Sequence, residues 1–162
     1  MPGQELTMRA ISTLQPWASL LANGSKKWET RSSNTKVRGE VAICASLKWT
    51  GQLQEIALSE PFSSALLGES PTAPGSYEKI MTQTPLGCVV AVGDLVESIN
   101  VADWLARFPG FDREYRFGNY APGRAAWRFE NMKKLAKPVP VKGAQFWFTL
   151  PPEVEAAVRA QL

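Results

Sequence analysis

Lys26, Glu29 and Arg31 place two cations and a carboxylate in a stretch of six residues. On an extended strand, where side chains alternate between faces, Glu29 and Arg31 share a face about 7 Å apart. Lys26 follows the Gly24 turn and can swing towards that face, although a strict strand would put it opposite. Such a cluster offers two kinds of chemistry. It can bind a phosphate or the edge of a nucleobase, with Arg31 presenting its planar fork. Alternatively, Glu29 orients a water while a desolvated Lys26 shuttles a proton or attacks a carbonyl. The plainest reading is an ordinary strand with a surface ion pair worth under ~1 kcal/mol.

A second constellation, FGNYAPGRAAW, spans residues 117–127 and offers Asn119, Tyr120, Arg124 and Trp127. Aromatic faces stack on bases, and arginine contacts phosphate or stacks as a cation, a combination suited to single-stranded nucleic acid or a free nucleoside. Tyr120 and Arg124 flank a Pro-Gly turn and are the better site candidates. Phe117 and Trp127 are expected in the core, as are Trp28, Trp104 and Trp147. Trp17, close to the first cluster, is open between the two roles.

Composition narrows the chemistry further. The chain has 162 residues and no histidine. Serine or cysteine nucleophiles activated by imidazole are therefore excluded, as is proton transfer by a pair of imidazoles. Two cysteines, Cys44 and Cys88, cannot furnish a four-ligand zinc site alone. Both sit in apolar runs, which predicts buried, reduced thiols. Catalysis would have to come from Lys, Glu, Asp, Tyr, Ser or Thr.

Several elements must position these residues. MRAISTL (8–14) reads as a strand, and Gln15-Pro16 opens a short helix carrying the stripe Trp17, Leu20, Leu21, stopped by Asn23-Gly24. KKWETR (26–31) and GEVAICAS (39–46) read as strands on either side of a polar, basic loop. Residues 50–67 predict two short helices separated by Pro61, and 68–79 a loop rich in Pro and Gly. Residues 85–99 form a long strand bent at Gly93, followed by a short helix over 101–108 and an irregular stretch over 111–124. AAWRFENMKKL (125–135) and QFWFTL (145–150) read as strands joined by a KPVPVKG turn, and Pro151-Pro152 starts a terminal helix over 151–162. Five or six strands with short helices between them, and no βαβ rhythm, predict a small, mainly β barrel of α+β type. A single domain over 1–162 is expected.

Charge is uneven along the chain. Residues 1–48 carry seven basic and three acidic groups, 49–110 two and seven, and 111–162 nine and five. Two basic ends around an acidic middle can converge into one positive face, which suits a phosphate-bearing partner. No apolar run reaches the ~18–20 residues that span a bilayer. Residues 1–5 carry no secretory h-region, so a cytoplasmic protein without membrane association is expected.

Taken together, the motifs resemble the ASCH domain family, which has a PUA-like barrel. Gln15-Pro16-Trp17-Ala18 resembles that family's opening helix, and Gly24, Lys26, Glu29 and Arg31 match its G-x-K-x-x-E-x-R signature. The Arg38-Gly39 step leads into a strand ending in the small pair Ala45-Ser46, as it does in the family. PLGCVVAVGDLVES resembles the central strand, and GNYAPGRAAW and PVPVKG the C-terminal strands. The match runs from about residue 8 to 150, with 47–84 as a variable helical insertion. The resemblance implies binding of RNA, or of a nucleoside or nucleotide, more than DNA. The cleft would be formed by 15–31 and 117–127. Lys26, Glu29 and Arg31 stand at its reactive centre, and Gln15, Trp17, Arg38, Ser46, Asn119, Tyr120 and Arg124 contact the ligand.

Some small members of the family are amidohydrolases that deacylate acetylated cytidine with a Lys, a Thr and a Glu. Lys26 matches the lysine, Glu29 stands where the threonine would be, and Glu114 or Asp112 best matches the glutamate. A ribonuclease is a further alternative. No cofactor is implied, although RNA cleavage would draw on a divalent cation such as Mg²⁺ held by carboxylate oxygens. A protein-interaction role would use the 47–84 surface.

Overall fold

The computed structural model describes residues 7–110 and 112–162. The N-terminal residues read for a secretory signal lie outside the described residues. Six strands form one curled, half-barrel sheet. They are β1 (Arg9–Thr13), β2 (Trp28–Arg31), β3 (Gly39–Ala45), β4 (Cys88–Asn100), β5 (Ala125–Pro140) and β6 (Trp147–Thr149). Their order is β2-β5-β4-β3-β1-β6, with only β1 and β3 parallel.

Alternation along the strands sorts side chains into two buried layers. Ile11, Val41 and Ile43 face one cluster that also holds Val90, Leu95 and Phe129. Their neighbours Ala10, Ala42 and Cys44 face a second cluster with Val89, Val92 and Leu135. Helix α1 (Trp17–Ala22) covers the first layer through Ala18, Leu21 and Ala22. Helix α7 (Pro152–Arg159) covers the second through Val154 and Val158. With both faces covered, AICA in β3 is apolar at every position rather than at alternate ones. Both cysteines are buried and free, as their apolar context predicts.

The bend expected at Gly93 is a β-bulge, where the β4–β5 register shifts between Val92 and Asp94. Several strand ends shift by a few residues, β2 starting at Trp28 so that Lys26 lies outside it, and three stretches differ more. The predicted turn at KPVPVKG is the end of β5, which runs on to Pro140. Because β2 pairs with Ala125–Arg128, no described strand covers that edge of the far half of β5, where prolines forfeit no ladder bond. The predicted loop 68–79 contains the start of α4 (Ser76–Thr82), entered through Gly75 at φ 83°. The stretch read as irregular over 111–124 holds α6 (Arg113–Phe117), whose N-cap Asp112 accepts from the Tyr115 amide at 3.1 Å.

Helices α2 (Gly51–Leu58) and α3 (Phe62–Leu67) flank Pro61 as predicted. With α4 they make a satellite core of Ala57, Ala65, Leu66 and Ile80 around Leu20 and Phe117. Helix α5 (Val101–Arg107) sends Trp104 into a fourth cluster with Trp28 and Tyr120.

β2 and β6 are the two edges of the sheet. Side chains span the seam instead of backbone ladders. Thr13 Oγ1 on β1 donates to Glu29 Oε2 on β2 at 3.1 Å, and Arg31 Nη1 donates to the Ser12 carbonyl at 3.2 Å. Trp127 on β5 stacks on Trp147 on β6, with ring centres 5.5 Å apart and planes within 10°.

Candidate functional site

A cleft of about 480 Å³ opens at this seam. Ser12 and Thr13 line it from β1, Leu14 from the residue that follows, and Glu29, Thr30 and Arg31 from β2. Trp17, Ser32, Asn119 and Arg124 complete the wall. The two constellations read from the sequence therefore meet in one place, and specific bonds join them. Trp17 Nε1 donates to the Phe117 carbonyl. The Asn119 amide donates to Thr30 Oγ1 at 3.1 Å, and Arg124 donates to the Thr30 carbonyl at 3.2 Å and the Asn119 carbonyl at 3.0 Å. Gly118 is what lets the segment lie so close. A Cβ there would fall 2.6 Å from Tyr120 Cε2 and 3.2 Å from Thr30 Cγ2.

Glu29 presents its carboxylate to the cleft wall with only 8% of the side chain exposed. Lys26 Nζ holds Oε1 at 3.2 Å, while Oε2 accepts from Thr13 and lies 3.7 Å from Arg31 Nη1. Arg31 is fixed on three sides: by Glu29, by the Ser12 carbonyl, and by the Trp127 ring, whose centre lies 5.4 Å from its Cζ.

Lys26 is where sequence reading departs most from the structure. Its side chain is fully buried behind the cleft wall, its ammonium also donating to the Trp28 carbonyl. It is not a cleft-lining group. A fully buried ammonium needs paired acceptors, and these are what surround it. Glu114 on α6 adds a carboxylate nearby and accepts from the Lys27 and Trp28 amides at 3.0–3.2 Å. Burial pushes the Glu114 carboxyl above the usual range, against the opposing pull of Lys26 and the two backbone amides.

Four other candidates also lie elsewhere than expected. Tyr120 is buried, its ring tilted against Trp104 at 4.1 Å and stacked on Tyr115 at 5.5 Å. The Pro-Gly turn beside it turns the backbone outward but the ring inward. Burial, with nearby carboxylates adding to it, raises its phenol well above the ordinary value. Gln15 is fully buried and ties α1 together, donating to Ser19 Oγ at 2.8 Å and to the Pro85 carbonyl at 2.9 Å. Arg38 is exposed and folds back on its own loop, onto the Thr35 and Val37 carbonyls. Ser46 lines a neighbouring groove of about 620 Å³ rather than the cleft itself.

Thr13, Thr30 and Ser12 were not read from the sequence as site residues. Their signal is faint, being the β-alternation of β1 and β2. Among the described residues no three Cys, Asp or Glu side chains gather as metal ligands, and none of the helices is long and apolar enough to cross a membrane.

Three comparisons bear on this geometry. The family model for the ASCH domain matches residues 11–139. Activating signal cointegrator 1 of Homo sapiens is 32% identical over 104 residues, 64% of this chain and 16% of that protein. Its Mus musculus counterpart is 28% identical over 133 residues, 82% of this chain and 20% of that protein. The chain thus spans about a fifth or less of the curated relatives it matches. The crystal structure of ASCH from Zymomonas mobilis superposes with a TM-score of 0.53 at 12% identity, covering 94% of each chain. A point mutant of that protein superposes at 0.54 and 13% identity, covering 94% of this chain and 96% of the other.

Proposed function

Because the chain belongs to the ASCH domain family, we propose that it binds RNA, or the nucleoside units of RNA, in the seam cleft. One observation carries the reading. A restrained carboxylate and a restrained guanidinium, Glu29 and Arg31, stand side by side in a cleft of about 480 Å³, faced by Trp17, Asn119 and Arg124. That volume is in the range of small-ligand pockets, roughly 300–1,000 Å³. A carboxylate accepts from the amino or imino edge of a base, an arginine serves the phosphate or the base face, and an indole offers stacking area.

The geometry favours binding over lysine-dependent hydrolysis. A lysine that attacks an acyl carbon or relays a proton must reach the substrate. Lys26 instead spends its ammonium on Glu29 and the Trp28 carbonyl, with none of its side chain exposed. Its work is to orient Glu29. Acetylated cytidine incubated with the protein should therefore be recovered unchanged by mass.

Titration with nucleosides and short single-stranded RNAs, followed by tryptophan fluorescence, tests the assignment. RNA binding should be salt-dependent, and Arg124→Gln should reduce the log–log salt slope by about 0.7. A matched DNA oligonucleotide reports the preference between the two sugars. No detectable affinity for any nucleoside or RNA at ~50 mM salt, where phosphate contacts are strongest, would refute the proposal.

A further inference from the structure

Arg31 borders two cavities. It lines the seam cleft together with Ser12 and Leu14, and the same three residues line the 620 Å³ groove beside it. The groove continues past Ser46 and Leu47 of the β3 end to the loop that carries Lys142 and Phe146. Its charged lining residues are Arg31, Lys48 and Lys142, with no carboxylate among the described residues that form it. Two large apolar side chains stand at its surface, Leu47 at 75% exposure and Phe146 at 73%. Phe146 also adopts a left-handed backbone, φ 61°, a conformation that bulky residues rarely take. Strain of this kind combined with an outward-facing aromatic ring is a pattern associated with ligand contact. The loop lies hard against the cleft as well. A Cβ on Gly143 would fall 2.4 Å from Ser12 Oγ, so a larger residue there would have to turn the Ser12 hydroxyl aside.

We propose that the site takes a single strand of at least two nucleotides, with one nucleoside in the seam cleft and its neighbour in the groove. Arg31 sits on the linking phosphodiester. This rests on the RNA-binding reading above and extends it from one unit to a strand with a defined path. Arg31 suits the linking position because it is the cation common to both cavities, and Glu29, Trp127 and the Ser12 carbonyl preset its orientation. Lys48 and Lys142 are placed for the phosphate beyond, and the Phe146 ring for the second base. A peptide would meet the same apolar surface, but three cations without an acid match a polyanion better.

The test compares affinities for one nucleoside, the corresponding dinucleoside monophosphate and a tetranucleotide of RNA, at fixed low salt. Stacking a second base and engaging a phosphate should make the dinucleoside monophosphate bind at least ~10-fold more tightly than the nucleoside. That ratio should fall below ~3 in Lys48→Glu/Lys142→Glu and in Phe146→Ala, with thermal unfolding confirming that each variant is folded. Equal affinity for nucleoside and dinucleoside monophosphate overturns the second position while leaving the cleft assignment standing. A large ratio that the variants do not change also overturns it, since the neighbouring nucleotide then lies elsewhere. Failure of every probe, nucleoside included, removes the RNA-binding reading itself and this extension with it.

Discussion

Lys26 stands directly behind Glu29, its Nζ 3.2 Å from Oε1 and its side chain without exposed surface, so the cleft carboxylate is held from the protein interior. Opposite it, Thr13 and Arg31 hold the other oxygen from across the seam. The carboxylate therefore meets a ligand already oriented.

Removing one partner of such a pair leaves an uncompensated buried charge, which costs about 3–5 kcal/mol. Lys26→Met should destabilise the fold by an amount in that range in denaturant unfolding. Lys26→Met combined with Glu29→Gln should lose clearly less than the sum of the two single changes. Additivity to within ~0.5 kcal/mol would mean that the two groups do not act as a pair.

Glu114 gives the stability a pH signature. Burial raises its carboxyl above the ordinary carboxylate value, so the folded chain holds this proton more firmly than the unfolded chain does. The stability it contributes is fully present below the unfolded pKa and is lost as pH rises through the folded one. Glu114→Gln keeps an acceptor for the Lys27 and Trp28 amides but removes the titration. Unfolding free energies of the two proteins should therefore diverge with pH, the native chain gaining on the variant as pH falls into the ordinary carboxylate range. Parallel curves over that window would contradict the assignment.

Gly118 is required by space rather than by dihedral angle. An added methyl would strike the buried Tyr120 ring at 2.6 Å, and overpacking of this kind costs about 1–3 kcal/mol. Gly118→Ala should lower the unfolding midpoint and weaken ligand binding together, because the same segment places Asn119 on the cleft wall. Loss of stability with binding intact would show that the cleft tolerates the displacement.

The thiols should be inert in the native state. Burial, helped by its neighbour Cys88, raises Cys44 to about 12, and burial alone raises Cys88. The thiolate is the nucleophile, so a maleimide at pH 8 should label neither cysteine until the chain is unfolded. Rapid labelling of the native protein would place at least one thiol at the surface.

Much of the architecture was legible because the strands obey simple rules. VAICA within GEVAICAS is apolar on both faces, and Gly93 marks a bulge. The two constellations that meet at the cleft were legible as well, since charged and aromatic residues clustered at 15–32 and 117–127. Lys26 and Tyr120 were not. Nothing local tells a lysine near a turn that an inward route exists to a carboxylate and a backbone carbonyl, or tells a tyrosine beside Pro-Gly that Trp104 waits inside. For Tyr120 the deciding contact is with Trp104 on α5, and for Lys26 it is a side-chain path inward to groups two and three residues along, which strand alternation does not predict. Helix α4 was hidden by the Pro and Gly residues that precede it, and α6 by its short, aromatic composition, with Asp112 the one capping signal.

Trp17, one wall of the cleft, leans on Phe62 of α3 with ring centres 6.0 Å apart, and Phe62 in turn packs on Phe117 at 5.4 Å. Helix α3 thus acts as a shim beneath a single indole. Substitutions in it would re-aim that wall while Glu29 and Arg31, anchored across the strands, keep their places. Under the proposed binding role, base preference would then shift through residues that never touch the ligand.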